Sequence, residues 1–299
     1  QLSKMKLTTK SNKTIYEDDA ATFMDTVTNA VKAGITNFQG IRVENETISR
    51  MMISSLDMTG AEFNNVKFEG CTLHKMTMMG ATFRVCEFVD CWFEHCNLHS
   101  SVLKIVYIKH SVFNDVDMKN CNIDRCTTHA WELTKVNLSA CSFFHVDHSG
   151  FKLKSCVGRG STFKSCNMNG TYAHDTDMTE CEFDSTLLLR ANFIDVKVSN
   201  WLLKNTDISY VFKAAAHVQF DGHGESGRSL YAIIIKPGDE PVFTCGCFWG
   251  SEKELVAKYI ADEKKASPLR RSREFALRTV KALLDYSLHP YAPEPEYNI

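Results

Sequence analysis

Every fifth residue along more than half of the chain is large and apolar. The series runs Phe38, Val43, Ile48, Ile53, Met58, Phe63, Phe68, Leu73 and onward to Leu203 and Ile208, and 31 of its 35 positions are aliphatic, Met or Phe. The exceptions are Thr128, His148, Gly158 and Ala173, and no insertion breaks the register over 171 residues. Small residues dominate the slot two positions before each large one, and ten of the twelve cysteines occupy that slot. Neither the 3.6-residue period of a helix nor the two-residue period of a strand fits five. A chain that turns a corner every five residues does fit: the large residue and the small one point inward, the other three point outward, and four such units close a square coil.

Units such as Ala61-Glu-Phe-Asn-Asn, Cys91-Trp-Phe-Glu-His, Cys121-Asn-Ile-Asp-Arg and Ala191-Asn-Phe-Ile-Asp resemble those of the pentapeptide-repeat family. The resemblance implies a mainly β fold, a right-handed quadrilateral parallel β-helix of about eight coils and, at ~4.8 Å per coil, a rod of roughly 40 Å. Residues twenty apart then stack, so Phe63 with Phe83, and Phe143 with Phe163 and Phe183, form columns of rings. Trp131 sits in a small slot beside the undersized Thr128, which predicts a local exchange of volume and a deformation between about 128 and 158.

The predicted layout is an N-terminal segment (1–37), the β-helix (38–212), a C-terminal α+β module (213–288) and an extended tail (289–299). A coil end exposes its core, so caps are required. Ala20, Phe23, Met24, Val27 and Val31 follow helical spacing before Gly34, predicting a cap helix over 17–33. Beyond Val211, with Lys213 in the next core slot and a Gly- and His-rich loop from Asp221, the pattern changes. Leu230–Ile235 and Val242–Cys245 read as a hairpin. Ser251 with Glu254 forms a capping box for a helix to about Ala261, and Ser267-Pro268 opens a longer helix to near Tyr286. The Gly227-Arg-Ser-Leu-Tyr and Gly246-Cys-Phe-Trp-Gly layout is similar to a module at the C-terminus of some phage and bacterial proteins, which implies a phage or mobile-element origin.

Composition narrows the classes: 44% hydrophobic and 23% charged residues suit a globular chain, and no apolar run reaches the roughly 20 residues of a membrane span. A cytoplasmic location, no cofactor and reduced, buried repeat cysteines are expected. The net charge of −2 argues against a surface devoted to nucleic acid.

Candidate chemistry is sparse. Gly246-Cys247-Phe248-Trp249-Gly250 resembles the nucleophile segment of methionine sulfoxide reductase A, which implies thiol attack on a sulfoxide; the 49 residues that follow are too few for that enzyme's domain. Cys247 is therefore expected to be structural. The histidines read as solvated, none paired at tight spacing with carboxylates, except His148, a satisfied core residue; no metal site is expected. Between Glu263 and Lys281 seven basic residues face two acids, and Arg270, Arg271, Arg273 and Arg278 form a candidate anion or nucleic-acid contact. Apolar residues in outward slots gather at one corner: Val85, Val102, Ile105 and Tyr107, with Trp92 and Val112 nearby.

These features predict a non-enzymatic interaction protein, a rigid scaffold or inhibitor that engages a protein partner through that corner, with self-association also open. The family resemblance implies an alternative, inhibition or protection of DNA gyrase or another DNA-handling enzyme by DNA mimicry. Residues 51–212 carry 18 acids against 15 bases, a weak imbalance for a polyanion mimic.

Overall fold

The structure, a computed structural model, describes residues 4–206, 216–223, 228–235, 238–245, 248–261 and 267–288. The central chain is a four-sided parallel β-solenoid. Three sides are sheets of nine, eight and five strands. The fourth is a ladder of single bridges from Asn37–Asp57 to Asp177–Lys197. Each strand is three residues long with only its middle residue inward, and its register partner lies twenty residues away, as in Phe63 opposite Phe83. The predicted ring columns form: Phe63 stacks on Phe83 at 4.7 Å, Phe143 on Phe163 at 4.7 Å and Phe163 on Phe183 at 5.1 Å.

The corners explain the period. Every fifth residue from Gly40 to Asn205 is left-handed, with φ between 46° and 73°. Along the bridged side the corner closes as a turn, Ala61 N–H donating to the Met58 carbonyl at 3.0 Å, with Gly60 in the positive-φ position that such a turn assigns to glycine. The five-stranded side starts with open corners and stops pairing as strands at Thr127–His129. From His148 onward its corners close in the same tight way, Phe151 N–H to His148 O at 2.8 Å over Gly150. The deformation expected between 128 and 158 is thus a change of corner type with no loss of register.

At that change Trp131 is fully buried, its ring 5.2 Å from Phe113 and 5.3 Å from Phe151. Thr128 and His148 supply the room that larger residues fill elsewhere on their side, which is the predicted exchange of volume. His148 stacks on Phe151 at 4.6 Å and pairs through Nδ1 with Thr128 Oγ1 at 3.2 Å. Its Nε2, like Trp131 Nε1, is buried without a partner. The expectation of a satisfied core histidine therefore holds for one nitrogen only. Burial pushes its imidazole down to about 3.

The small slot has a chemical preference as well as a size. Most of its thiols and hydroxyls donate to the carbonyl twenty-three residues earlier, on the coil below: Cys71 to Ile48 at 3.1 Å, Ser101 to Met78 at 2.8 Å, Cys141 to Met118 at 2.9 Å and Thr186 to Phe163 at 2.9 Å. All ten repeat cysteines are buried and free.

Both ends are covered. The first coil meets helix α1 (Phe23–Lys32), N-capped by Thr22, whose Phe23, Met24 and Val27 line a small cavity with Val43, Ile48 and Ile53. A hairpin of Met5–Thr8 with Thr14–Asp18 precedes it, and Asp18 binds Thr26 Oγ1 at 3.0 Å and Asn29 Nδ2 at 2.7 Å. Ala20 lies before the helix and Val31 is exposed, so the apolar stripe is narrower than expected, Thr26 and Ala30 completing it.

At the other end the expected hairpin is a four-stranded antiparallel sheet, Ala216–His223, Arg228–Ile234, Val242–Cys245 and Phe248–Gly250. Alternation along Arg228–Ile234 makes it a plate: Tyr231 and Ile233 join the rod's core, while Leu230, Ala232 and Ile234 join a second core. Helices α2 (Glu252–Tyr259) and α3 (Pro268–Leu288) supply Leu255, Ala276, Leu277, Val280 and Leu284 to that second core. The Ser251–Glu254 capping box is present. Ile208, Val211, Lys213, the loop residues 224–227, Cys247 and the tail lie outside the described residues.

Candidate protein-binding surface

Of the six apolar candidates, Val85, Ile105, Tyr107 and Trp92 are exposed, at 54%, 47%, 37% and 48%, and Val102 and Val112 are half-buried. Val85 and Ile105 occupy the same corner one coil apart, linked through Val85 N–H, which donates to Lys104 O at 3.0 Å. Tyr107 begins the strand that follows Ile105, opposite Glu87 and Thr127. Val102 stands at the far end of its strand, with outward Lys104 between it and the corner, so the compact group is Val85, Ile105 and Tyr107. Trp92 and Val112 are register partners on the eight-stranded side. The described residues of the N-terminal segment leave the corner exposed.

The backbone at this corner is costly. Val85 has φ 53° and Ile105 φ 56°. Among the described corners these are the only β-branched residues, the others being Gly, Asn, Asp, Ser, His, Lys, Arg, Ala or Glu. A branched Cβ in the left-handed region is a genuine outlier and costs on the order of 1–3 kcal/mol. The stack continues as Asn65 below and Arg125 above, residue types that the conformation tolerates better.

The basic helix is largely committed to its own module. Arg270 Nε bonds Glu274 at 2.8 Å, Arg273 bonds the Tyr259 carbonyl at 2.6 Å and lies over its ring, and Lys281 reaches Glu252 at 2.7 Å. Arg271 and Arg278 are exposed. Cys245 is half-buried at the end of the strand Val242–Cys245.

Three features escaped sequence reasoning. Leu187 and Leu189 expose a second apolar pair on the upper five-stranded side, either side of buried Leu188. The nine-stranded side carries an open groove over Asn122, Asp124, Ser142, Phe144, Thr162, Lys164, Glu182 and Asp184, where the small side chains of Ser142 and Thr162 leave space between longer ones. The histidines do pair with carboxylates, contrary to expectation: His95 Nδ1 lies 2.6 Å from Asp115, and His110 Nδ1 lies 3.5 Å from Asp90. The signal was a spacing of twenty, one coil, rather than the few residues of a local motif.

Among the described residues no helix is long and apolar enough to cross a membrane. No curated protein matches the sequence significantly. In fold the chain is similar to HetL, a pentapeptide repeat protein involved in heterocyst differentiation regulation from the cyanobacterium Nostoc, at 14% identity over 62% of this chain and 94% of that one, with a TM-score of 0.41. It is also similar to a trypsin-treated form of QnrB1, a plasmid-mediated fluoroquinolone resistance protein, at 18% identity over 53% of this chain and 90% of that one, with a TM-score of 0.32. Residues 61–99 match the family model for pentapeptide repeats in eight copies. Residues 61–99 are thus pentapeptide repeats, and the same unit turns a left-handed corner every five residues from Gly40 to Asn205.

Proposed function

We propose that this chain is a non-enzymatic, rigid interaction protein that engages a protein partner through the corner of Val85, Ile105 and Tyr107. The observation that carries the reading is the pair of β-branched residues in left-handed corners one coil apart. Asparagine or glycine would satisfy the fold there at lower cost. Folding is penalised at the same two positions where apolar surface is left in water, and an exposed apolar group on a rigid support suits an interface.

DNA mimicry is less well supported. Outward charges pair across coils with the opposite sign, as Lys152 with Glu132, Arg159 with Glu180 and Lys204 with Asp184, which breaks up any continuous acidic column. Replacing Ile105 and Tyr107 together by Ser tests the proposal. Partner capture from lysate, or self-association measured by light scattering, should be lost with the melting temperature changed by only a few degrees. Unchanged capture and mass would contradict it.

A further inference from the structure

On the eight-stranded side His74 ends one strand and Glu94 ends the next, directly opposite each other in register. His95 is the corner residue that follows Glu94. One ligating atom from each of the three lies within 4.8 Å of the other two, and among the described residues no other set of three such groups converges as closely.

Hydrogen bonding from the adjoining coils orients both rings. Asp115 Oδ2, one coil above, lies 2.6 Å from His95 Nδ1 and accepts its N–H in the tautomer that frees Nε2, which lies 3.9 Å from the Glu94 carboxylate. Ser54 Oγ, one coil below, lies 3.3 Å from His74 Nδ1 and accepts its N–H in the tautomer that frees Nε2. The two rings meet edge to face with centroids 5.7 Å apart. A ligating histidine typically donates its other nitrogen to a carboxylate or similar acceptor, and such partners strengthen it as a ligand. Here each histidine has one.

We propose that His74, Glu94 and His95 form a Zn²⁺ site on the side of the rod, with Asp115 and Ser54 as positioning residues and the fourth position open to solvent. Two imidazoles and one carboxylate suit zinc, whereas Ca²⁺ and Mg²⁺ prefer all-oxygen shells. Zn²⁺ bonded at about 2.0–2.2 Å places tetrahedral ligands about 3.4 Å apart, so closure requires only rotamer adjustments of the order of an ångström. The rigid backbone fixes strand separation and leaves those side chains free to make them. This site is independent of the Val85–Ile105 corner, and either can fail without the other.

The experiment is calorimetric titration of the reduced full chain with ZnCl₂. Wild type should show a site that is absent from the His74→Ala/His95→Ala double variant, with no comparable heat from MgCl₂. Asp115→Asn keeps every ligand and should weaken Zn²⁺ binding about 10–100-fold. In the wild-type protein the ring resonances of His74 and His95 should shift together in NMR as zinc is added, a readout that needs no variant to fold. Equal zinc stoichiometry and affinity in the double variant, unmoved His74 and His95 resonances, or undiminished affinity in Asp115→Asn would overturn the assignment.

Discussion

Trp201 Nε1 donates to the Met178 carbonyl at 2.7 Å, the same twenty-three-residue step back that Ser101 makes to Met78 and Cys181 makes to Gly158. The largest side chain therefore occupies a small slot and keeps that slot's hydrogen bond. Among the described residues it is the C-terminal sheet that lies over it: Trp249 approaches at 6.5 Å, and Thr244 Oγ1 donates to the Trp201 carbonyl at 3.4 Å. Trp201→Phe should cost about 1–3 kcal/mol by leaving the Met178 carbonyl unpaired, and Trp201→Ala about 3–5 kcal/mol. Denaturant midpoints at constant m-value would measure both.

The same end plate should be needed by the rod. Tyr231 is fully buried, and its hydroxyl donates to the Thr206 carbonyl at 3.0 Å. Tyr231→Phe is expected to lose about 1 kcal/mol, whereas Tyr231→Ala should open the last coil and raise amide exchange there before it does so in the middle coils. Uniform exchange in the alanine variant would count against a capping role.

Repeat cysteines should resist alkylation in the native state and react on unfolding. Burial pushes the Cys86, Cys156 and Cys166 thiols up to about 11 and that of Cys181 to about 12, from 9.0. The neutral thiol is the form buried, so this contribution is complete below pH 9, where both states are protonated. As pH rises from about 9 to about 11 the unfolded chain gives up protons that the folded chain retains, and stability falls. Cys→Ser in this slot, which keeps a donor, should flatten that alkaline loss. Melting temperatures across pH 8–11 would show it.

His148 predicts the opposite limb. Its imidazole is pushed by burial from 6.5 to about 3. Below pH 6.5 the unfolded chain binds a proton that the folded chain refuses until about pH 3, so the contribution is complete above 6.5 and is lost as pH falls toward 3. His148→Gln, neutral throughout, should reduce the acid sensitivity in that window. An unchanged acid limb would mean that other groups govern it.

The legible part of the fold was the part repeated most often. A period of five fixes which residues point inward, and stacking at twenty follows from four sides, so Phe63 over Phe83 needed no coordinates. The change of corner type at His148 was harder to see because it alters hydrogen bonding without moving any residue out of register; Gly150 and Gly170 were its only local mark. The N-terminal hairpin was missed because Met5–Thr8 and Thr14–Asp18 are short and bury little besides Leu7. Exposed Val85, Ile105 and Tyr107 were readable as outward apolar slots, but the left-handed strain under the first two was not, since it depends on which of the five positions turns the corner. The His74–Glu94–His95 group joins adjacent coils, where local motif spacing carries no signal.

The most direct test of the central claim, that the Val85 and Ile105 corner is retained for binding at a cost to folding, is the Val85→Asn/Ile105→Asn double variant measured for both thermal stability and partner capture or self-association. Relief of the two left-handed β-branched residues should raise stability by about 1–3 kcal/mol per site while capture is lost. Capture at the wild-type level, or a variant no more stable than wild type, would contradict the account.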